Sequence, residues 1–187
     1  MKSRFLLYFL LIPILLSAQP YAVRQLGIEK GLSNNYVVSI AQDKEGFLWF
    51  ATEEGLNKFD GTRFITYYKN ETRNGYGITG NELNCLLDDP KDSILWIGTQ
   101  RAGLNAYDYV NDTFTFYRHN EAVPESIITD DVTNIIAADD GNLWVTTYWK
   151  GIEYFDKKDA CKIANVSPNT IDNYRKKNII SVKRYGN

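Results

Sequence analysis

The sequence of 187 residues holds a single histidine, His119, and two cysteines, Cys85 and Cys161. That is too few for a His/Cys metal cluster or for the disulfide framework of a small secreted domain. Basic and acidic side chains nearly cancel, 21 against 23, which excludes a nucleic-acid binder that works through bulk positive charge. Five prolines and an aromatic content of 14% exclude collagen-like and disordered chains. Beyond residue 16 no apolar run approaches the roughly 20 residues that a membrane-spanning helix needs. The length fits one ordinary domain.

One long apolar run is present, and it stands at the start. Lys2 and Arg4 precede unbroken apolar residues from Phe5 to Leu16, then Ser17-Ala18-Gln19. This charged, greasy and small-residue order is that of a secretory signal peptide over residues 1–18, cleaved after Ala18. Its removal takes two positive charges and leaves an acidic, exported chain in the periplasm or outside the cell, an unsuitable nucleic-acid partner.

The rest is a repeat. Gly46-Phe47-Leu48-Trp49-Phe50-Ala51-Thr52 returns as Ser93-Ile94-Leu95-Trp96-Ile97-Gly98-Thr99 and as Gly141-Asn142-Leu143-Trp144-Val145-Thr146-Thr147, with the tryptophans 47 and 48 residues apart. A few residues later come Gly55 to Asp60, Gly103 to Asp108 and Gly151 to Asp156, each with an aromatic residue four positions after the glycine. A period in the forties built from strand-length runs and turn residues is that of a four-stranded propeller blade. Strand A is expected at Val37–Gln42, Leu83–Leu87 and Val132–Ala137, strand B around each tryptophan, and strand C from each glycine. Strand D is expected at Phe64–Tyr68, Thr113–Tyr117 and Cys161–Val166. Strand B is apolar at nearly every position, which suits burial on both faces between stacked blades. The A–B turn of the second unit is longer, and Ser93 replaces the turn glycine, so its shape should differ.

The fold class is therefore all-β, an incomplete β-propeller. Residues 19–30 are expected to give an N-terminal closing strand, 31–76 the first blade, 77–122 the second and 123–170 the third. Residues 171–187, with Ile179-Ile180-Ser181-Val182 as an A strand, would start a fourth blade. Three units and a fraction fall short of the roughly four to eight blades of a closed ring, so we expect an N-terminal fragment or truncated product of a larger protein.

The unit, an Asp-x-x-Gly turn, Leu-Trp-x-Gly/Ala-Thr, Gly-Leu and Tyr/Phe-Asp, resembles the two-component regulator propeller repeat over residues 20–187. The opening Gly31-Leu32-Ser33-Asn34-Asn35 is similar to the start of the periplasmic sensor region of Bacteroidetes hybrid two-component systems. The resemblance implies an oligosaccharide sensor without catalysis in this segment. Its partners would be the remaining blades, downstream sensor domains including a histidine kinase in an inner-membrane parent protein, and a second copy as a homodimer. No cofactor is implied. Ala51, Thr146 and Ser93 depart from the family's glycines.

Trp49, Trp96 and Trp144 recur at one strand position and are expected to pack between blades. Gly55, Gly103 and Gly151 are structural turn positions, and Asp60, Asp108 and Asp156 are turn caps. Candidate ligand contacts lie outside the consensus, in the B–C loops: Gln100 and Arg101, then Tyr148, Trp149 and Lys150. Trp149 is the tryptophan that periodicity does not explain, and a ring between hydrogen-bonding groups suits a sugar. Arg101 could fork onto a carboxylate or sulfate. Two other classes compete with the sensor. One is an enzyme on a propeller scaffold, lyase-like or glycosidase-like, since Gly-Asn-Leu-Trp resembles streptogramin lyase repeats and Asp139, Gly141 and Trp144 match part of a sialidase Asp-box. The other is an inactive structural product.

Overall fold

The computed structural model describes residues 22–69 and 77–163. The signal peptide and the fourth unit expected at 171–187 lie outside the described residues. Eleven strands form three antiparallel sheets. The first holds β1 (Val37–Gln42), β2 (Leu48–Thr52), β3 (Gly55–Phe59) and β4 (Phe64–Tyr67) in that order. The second holds β5 (Leu83–Asp89), β6 (Ile94–Thr99), β7 (Leu104–Asp108) and β8 (Thr113–Tyr117). The third has three strands, β9 (Val132–Ala137), β10 (Leu143–Thr147) and β11 (Gly151–Phe155). The sheets stack with β1 beside β5 and β5 beside β9, so the A strands are neighbours along one side, as in a propeller.

Register explains why the tryptophan recurs. Trp49 pairs with Ala41 and Lys58, Trp96 with Leu87 and Ala106, and Trp144 with Ile136 and Tyr154. Period-two alternation then puts each tryptophan on one face and its neighbours on the other. The Trp49 face, with Ala51 and Leu56, packs on Leu95, Ile97, Tyr107 and Phe114 of the second sheet. The Trp96 face, with Leu104 and Ala106, packs on Ile135, Leu143, Val145 and Phe155 of the third. Strand β6, between two sheets, is buried at every residue. Trp144 is 42% exposed, because no sheet among the described residues covers its face. A bulge recurs where each strand A meets strand B, and it bends the inner strand at the same place in all three units. Gly98 is required in the second unit, where an added Cβ would lie 2.4 Å from Cys85 Sγ and 2.7 Å from Val132 Cγ1.

The A–B turn of the second unit takes its own form. Strand β5 runs on to Asp89, and Ser93, buried, takes φ 56° where Gly46 and Gly141 take φ 90°. Asp60 Oδ1 accepts the Thr62 and Arg63 amides, Asp108 Oδ1 those of Val110 and Asn111, and Asp156 Oδ1 those of Lys158 and Asp159. In the first two units that cap turns the chain into strand D.

One expected strand differs. At the start of the strand D expected over Cys161–Val166 stands helix α1 (Lys157–Ile163), and residues 164–166 lie outside the described residues. The reason is local: Asp156 becomes a helix N-cap, and the helix-tolerant Lys157-Lys158-Asp159-Ala160 follows at once, where the other units have Gly61 or Asn111. Within the stretch 19–30 expected to close a last blade, residues 22–27 pair with no strand among the described residues, and Ile28–Lys30 is a single 3-10 turn ending on Gly31 at φ 102°.

The third sheet is tied to the second by Lys157. Its ammonium, buried, bonds the Asp89 and Asp92 carboxylates, the latter at 2.9 Å, and lies 5.7 Å from the Trp96 ring centroid.

Candidate functional site

The B–C turns share one end of the stack with the D–A loops, and the repeat threonine shapes each of them. Thr52, Thr99 and Thr147 donate their hydroxyls across the turn to the carbonyls of Gly55, Gly103 and Gly151 at 2.9, 2.7 and 3.2 Å. The turn bases are lashed to the D–A loops on either side: Gly55 N to Asn81 O, Gln100 N to Glu82 O, Gly103 N to Asp130 O and Tyr148 N to Asp131 O, all between 2.8 and 3.0 Å. These bonds make a rigid base from which the turn side chains project.

The first turn holds Glu53 and Glu54. The second and third hold one residue more, and there the backbone passes through the left-handed region at equivalent positions, Arg101 at φ 73° and Trp149 at φ 67°. A bulky side chain in that region is a genuine outlier. Trp149 is 85% exposed, and its ring meets Tyr148 with centroids 5.0 Å apart at 68°. Gln100, Arg101 and Lys150 are exposed as well. The Arg101 carbonyl accepts a long 3.5 Å bond from Arg118, which pairs with Asp130 at 2.6 Å. The structure therefore joins Tyr148 to Trp149 and sets Arg101 on the neighbouring turn, without a hydrogen bond or ring contact between Arg101 and Trp149 among the described residues.

Residues 31–54, from the Gly-Leu-Ser opening through β2, match the family model described as two component regulator propeller. Residues 31–54 carry a two-component regulator propeller repeat. The extracellular domain of BT3049 of B. thetaiotaomicron, described as a hybrid two-component system, is 58% identical over 75% of this chain, with a TM-score of 0.72. The extracellular domain of BT4673 from the same organism, described likewise, is 25% identical over 76% of the chain, with a TM-score of 0.60. The chain spans 20% of each of these two solved chains. Histidine kinase P4 of Formosa agariphila is 55% identical over 40 residues, which are 21% of this chain and 3% of that protein.

Set against the regulator propeller repeat, one departure escaped the choice of site residues. Asn57 and Asn105 each clasp the segment that opens their unit. Asn57 accepts Ser33 N at 3.0 Å and donates to Ser33 Oγ at 2.8 Å, and Asn105 does the same with Thr79. In the third unit that place belongs to Glu153, which accepts Ile128 N at 3.1 Å and faces no hydroxyl there. Burial pushes its carboxyl above the ordinary range, opposed by the Ile128 bond and the charge of His119. The signal was in the sequence, as Gly-Leu-Asn, Gly-Leu-Asn and Gly-Ile-Glu.

Proposed function

We propose that this chain is the extracytoplasmic ligand-sensing segment of a two-component regulatory sensor, and that it receives an oligosaccharide on the Tyr148–Lys150 turn with Gln100 and Arg101 beside it. The observation that carries the reading is Trp149. Residues held in such sparsely populated backbone regions cost roughly 1–3 kcal/mol each, and this one spends that strain on presenting an indole to solvent. A flat apolar face beside a phenol, a guanidinium and an ammonium is the surface that binds a sugar, whose ring face stacks while its hydroxyls find partners.

The solved relatives are extracellular domains, and no helix among the described residues is long and apolar enough to cross a membrane. The relatives support an exported location after loss of residues 1–18. The partners in this reading are further propeller blades and the downstream signalling domains, and binding is its only task. Turnover of a sugar by this segment would sink the reading.

The test is titration calorimetry of the mature chain with a panel of neutral, uronic and sulfated oligosaccharides. Trp149→Gly should weaken the binding member about tenfold, the loss of one stacking contact of about 1.4 kcal/mol. It should not lower the melting temperature, because glycine takes positive φ without steric cost. A panel in which nothing binds, or a variant that binds as tightly as the parent, removes this turn as the site.

A further inference from the structure

The fold builds one kind of joint twice between neighbouring turns. In each D–A loop two consecutive carbonyls hold the bases of two turns: those of Asn81 and Glu82 hold Gly55 and Gln100, and those of Asp130 and Asp131 hold Gly103 and Tyr148. Each loop is closed at its base by a side chain, Asn81 Oδ1 accepting Lys69 N at 2.6 Å and Asp130 Oδ1 accepting His119 N at 2.7 Å. Each is also clasped from strand C, Thr79 N by Asn105 Oδ1 at 3.0 Å and Ile128 N by Glu153 Oε2 at 3.1 Å. The second joint is the one that spans the Arg101 and Trp149 turns.

The two joints differ in charge. Both amide side chains of the first are carboxylates in the second, and each carboxylate has a basic group beside it. Arg118 bonds Asp130 Oδ2 through Nε at 3.0 Å and through Nη2 at 2.6 Å, and the same Nη2 reaches the Arg101 carbonyl. His119 Nδ1 lies 2.8 Å from Ile127 O, and a carbonyl only accepts, so the imidazole donates. Ile127 O and Ile128 N belong to one peptide group, which is thus held by its oxygen from His119 and by its N–H from Glu153. The hollow beside His119 is lined by Arg118, already paired, by Glu125, and by Tyr117 of β8, Phe155 of β11 and Ala160 of α1. Glu125 is exposed, so solvent and salt screen its charge.

We propose that residues 118–131 form a proton-sensitive strap, which holds the Arg101 and Trp149 turns firmly in mild acid and slackens as pH rises. This inference rests on the reading of those turns as the ligand site and supplies its regulation. Closing the strap takes Glu153 out of water, and that burial raises its carboxyl against the Ile128 bond and the His119 charge. A carboxyl that holds its proton more tightly with the strap closed than open favours closure in acid, and the advantage is lost as pH rises through the closed value. Histidine changes charge between about pH 5 and 8, so the attraction across the peptide from an imidazolium to the Glu153 carboxylate is lost on the same rise. The first joint is held by amides, which do not titrate.

Amide exchange of the mature chain between about pH 4 and 8 tests the strap without a ligand. Gly103 and Tyr148 report on it, while Gly55 and Gln100 report on the neutral joint, so the ratio of their protection cancels the pH dependence of the exchange chemistry itself. That ratio should fall severalfold as pH rises in the parent and stay level in Glu153→Gln, which keeps an acceptor for Ile128. Gly55 and Gln100 also show that the variant is folded. A level ratio in the parent overturns the proposal, as does a variant whose ratio falls as the parent's does. Protection lost at Ile128 but kept at Gly103 and Tyr148 overturns the link to the turns. Where a saccharide binds, its affinity should fall over the same range in the parent and hold in the variant, and an affinity indifferent to pH in both overturns the regulation. A saccharide panel without a binder sinks the ligand reading alone, because the exchange result stands apart from it.

Discussion

The two internal junctions bury the same residue in different ways. At the first, Trp49 sits among Tyr67, Tyr107 and Tyr109 with ring centroids 5.9, 5.2 and 5.8 Å away, and its indole N–H donates to Asp43 Oδ2 at 2.8 Å. At the second, Trp96 packs on Tyr117 and Phe155, and its indole N–H, although buried, has no hydrogen-bond partner among the described residues. Asp89, the last residue of β5, stands two positions after the partner of Trp96 as Asp43 stands two after the partner of Trp49, but its carboxylate is drawn to Lys157 of the third unit. The repeat therefore preserves the shape of the interface and leaves its polar chemistry free to change. The first junction is satisfied within its own unit. The second exchanges that local bond for an ion pair that reaches across to the next unit.

The largest way to break this symmetry is Lys157→Ala. It leaves two carboxylates facing a buried space, and removal of one partner from a buried pair costs about 3–5 kcal/mol. The loss should fall on the third unit, so hydrogen exchange in β9 to β11 should rise well before that in β1 to β4. Combining Lys157→Met with Asp89→Leu and Asp92→Asn, which removes all three charges, should recover most of the stability in urea unfolding, since apolar replacement of a buried ion pair or triad is often neutral. Uniform loss over all three sheets would show that Lys157 is no tie between units. Asp43→Ala is smaller in scale: it strands one indole N–H and frees the Glu45 and Phe47 amides that the same carboxylate holds at 3.0 Å. An unsatisfied buried donor costs about 1–3 kcal/mol, here confined to the first unit. The corresponding indole in the second unit is already without a partner, so Asp89→Asn should leave the Trp96 fluorescence far less changed than Asp43→Ala leaves that of Trp49.

Strand positions were legible wherever the repeat was, because a tryptophan between apolar neighbours and a glycine four residues before an aromatic each fix a face and a turn. Strands A, B and C of all three units lie within two residues of where the pattern put them. Strand D of the third unit was not legible. Cys161 to Val166 has strand-like composition, and the outcome turned on Asp156 capping a helix one turn earlier. The Lys157 tie was also hidden, since it joins residues 68 positions apart and no local pattern announces a buried lysine. At the candidate site, residue types could be chosen from their departure from the repeat, but the left-handed backbone at Arg101 and Trp149 is set by turn length and the Thr99 and Thr147 bonds across it.

The smallest effect sharpens the comparison between the third unit and the other two. Asn57 and Asn105 are matched donor for acceptor with Ser33 and Thr79, whereas Glu153 offers two acceptors to the single Ile128 amide. Burial raises its carboxyl above the unfolded value, so the folded chain holds the proton more tightly than the unfolded one. Its contribution to stability is then fully present in acid and is lost as pH rises through the folded value, because the unfolded chain ionises freely. Glu153→Gln keeps the acceptor for Ile128 and removes the charge. It should raise stability at neutral pH by under about 1 kcal/mol and give no gain near about pH 4, where the parent carboxyl is protonated in the folded state. Thermal unfolding of parent and variant across that range provides the measurement. Curves that stay parallel at every pH would mean that Glu153 ionises as freely folded as unfolded, and that the charge of His119 fully offsets its burial.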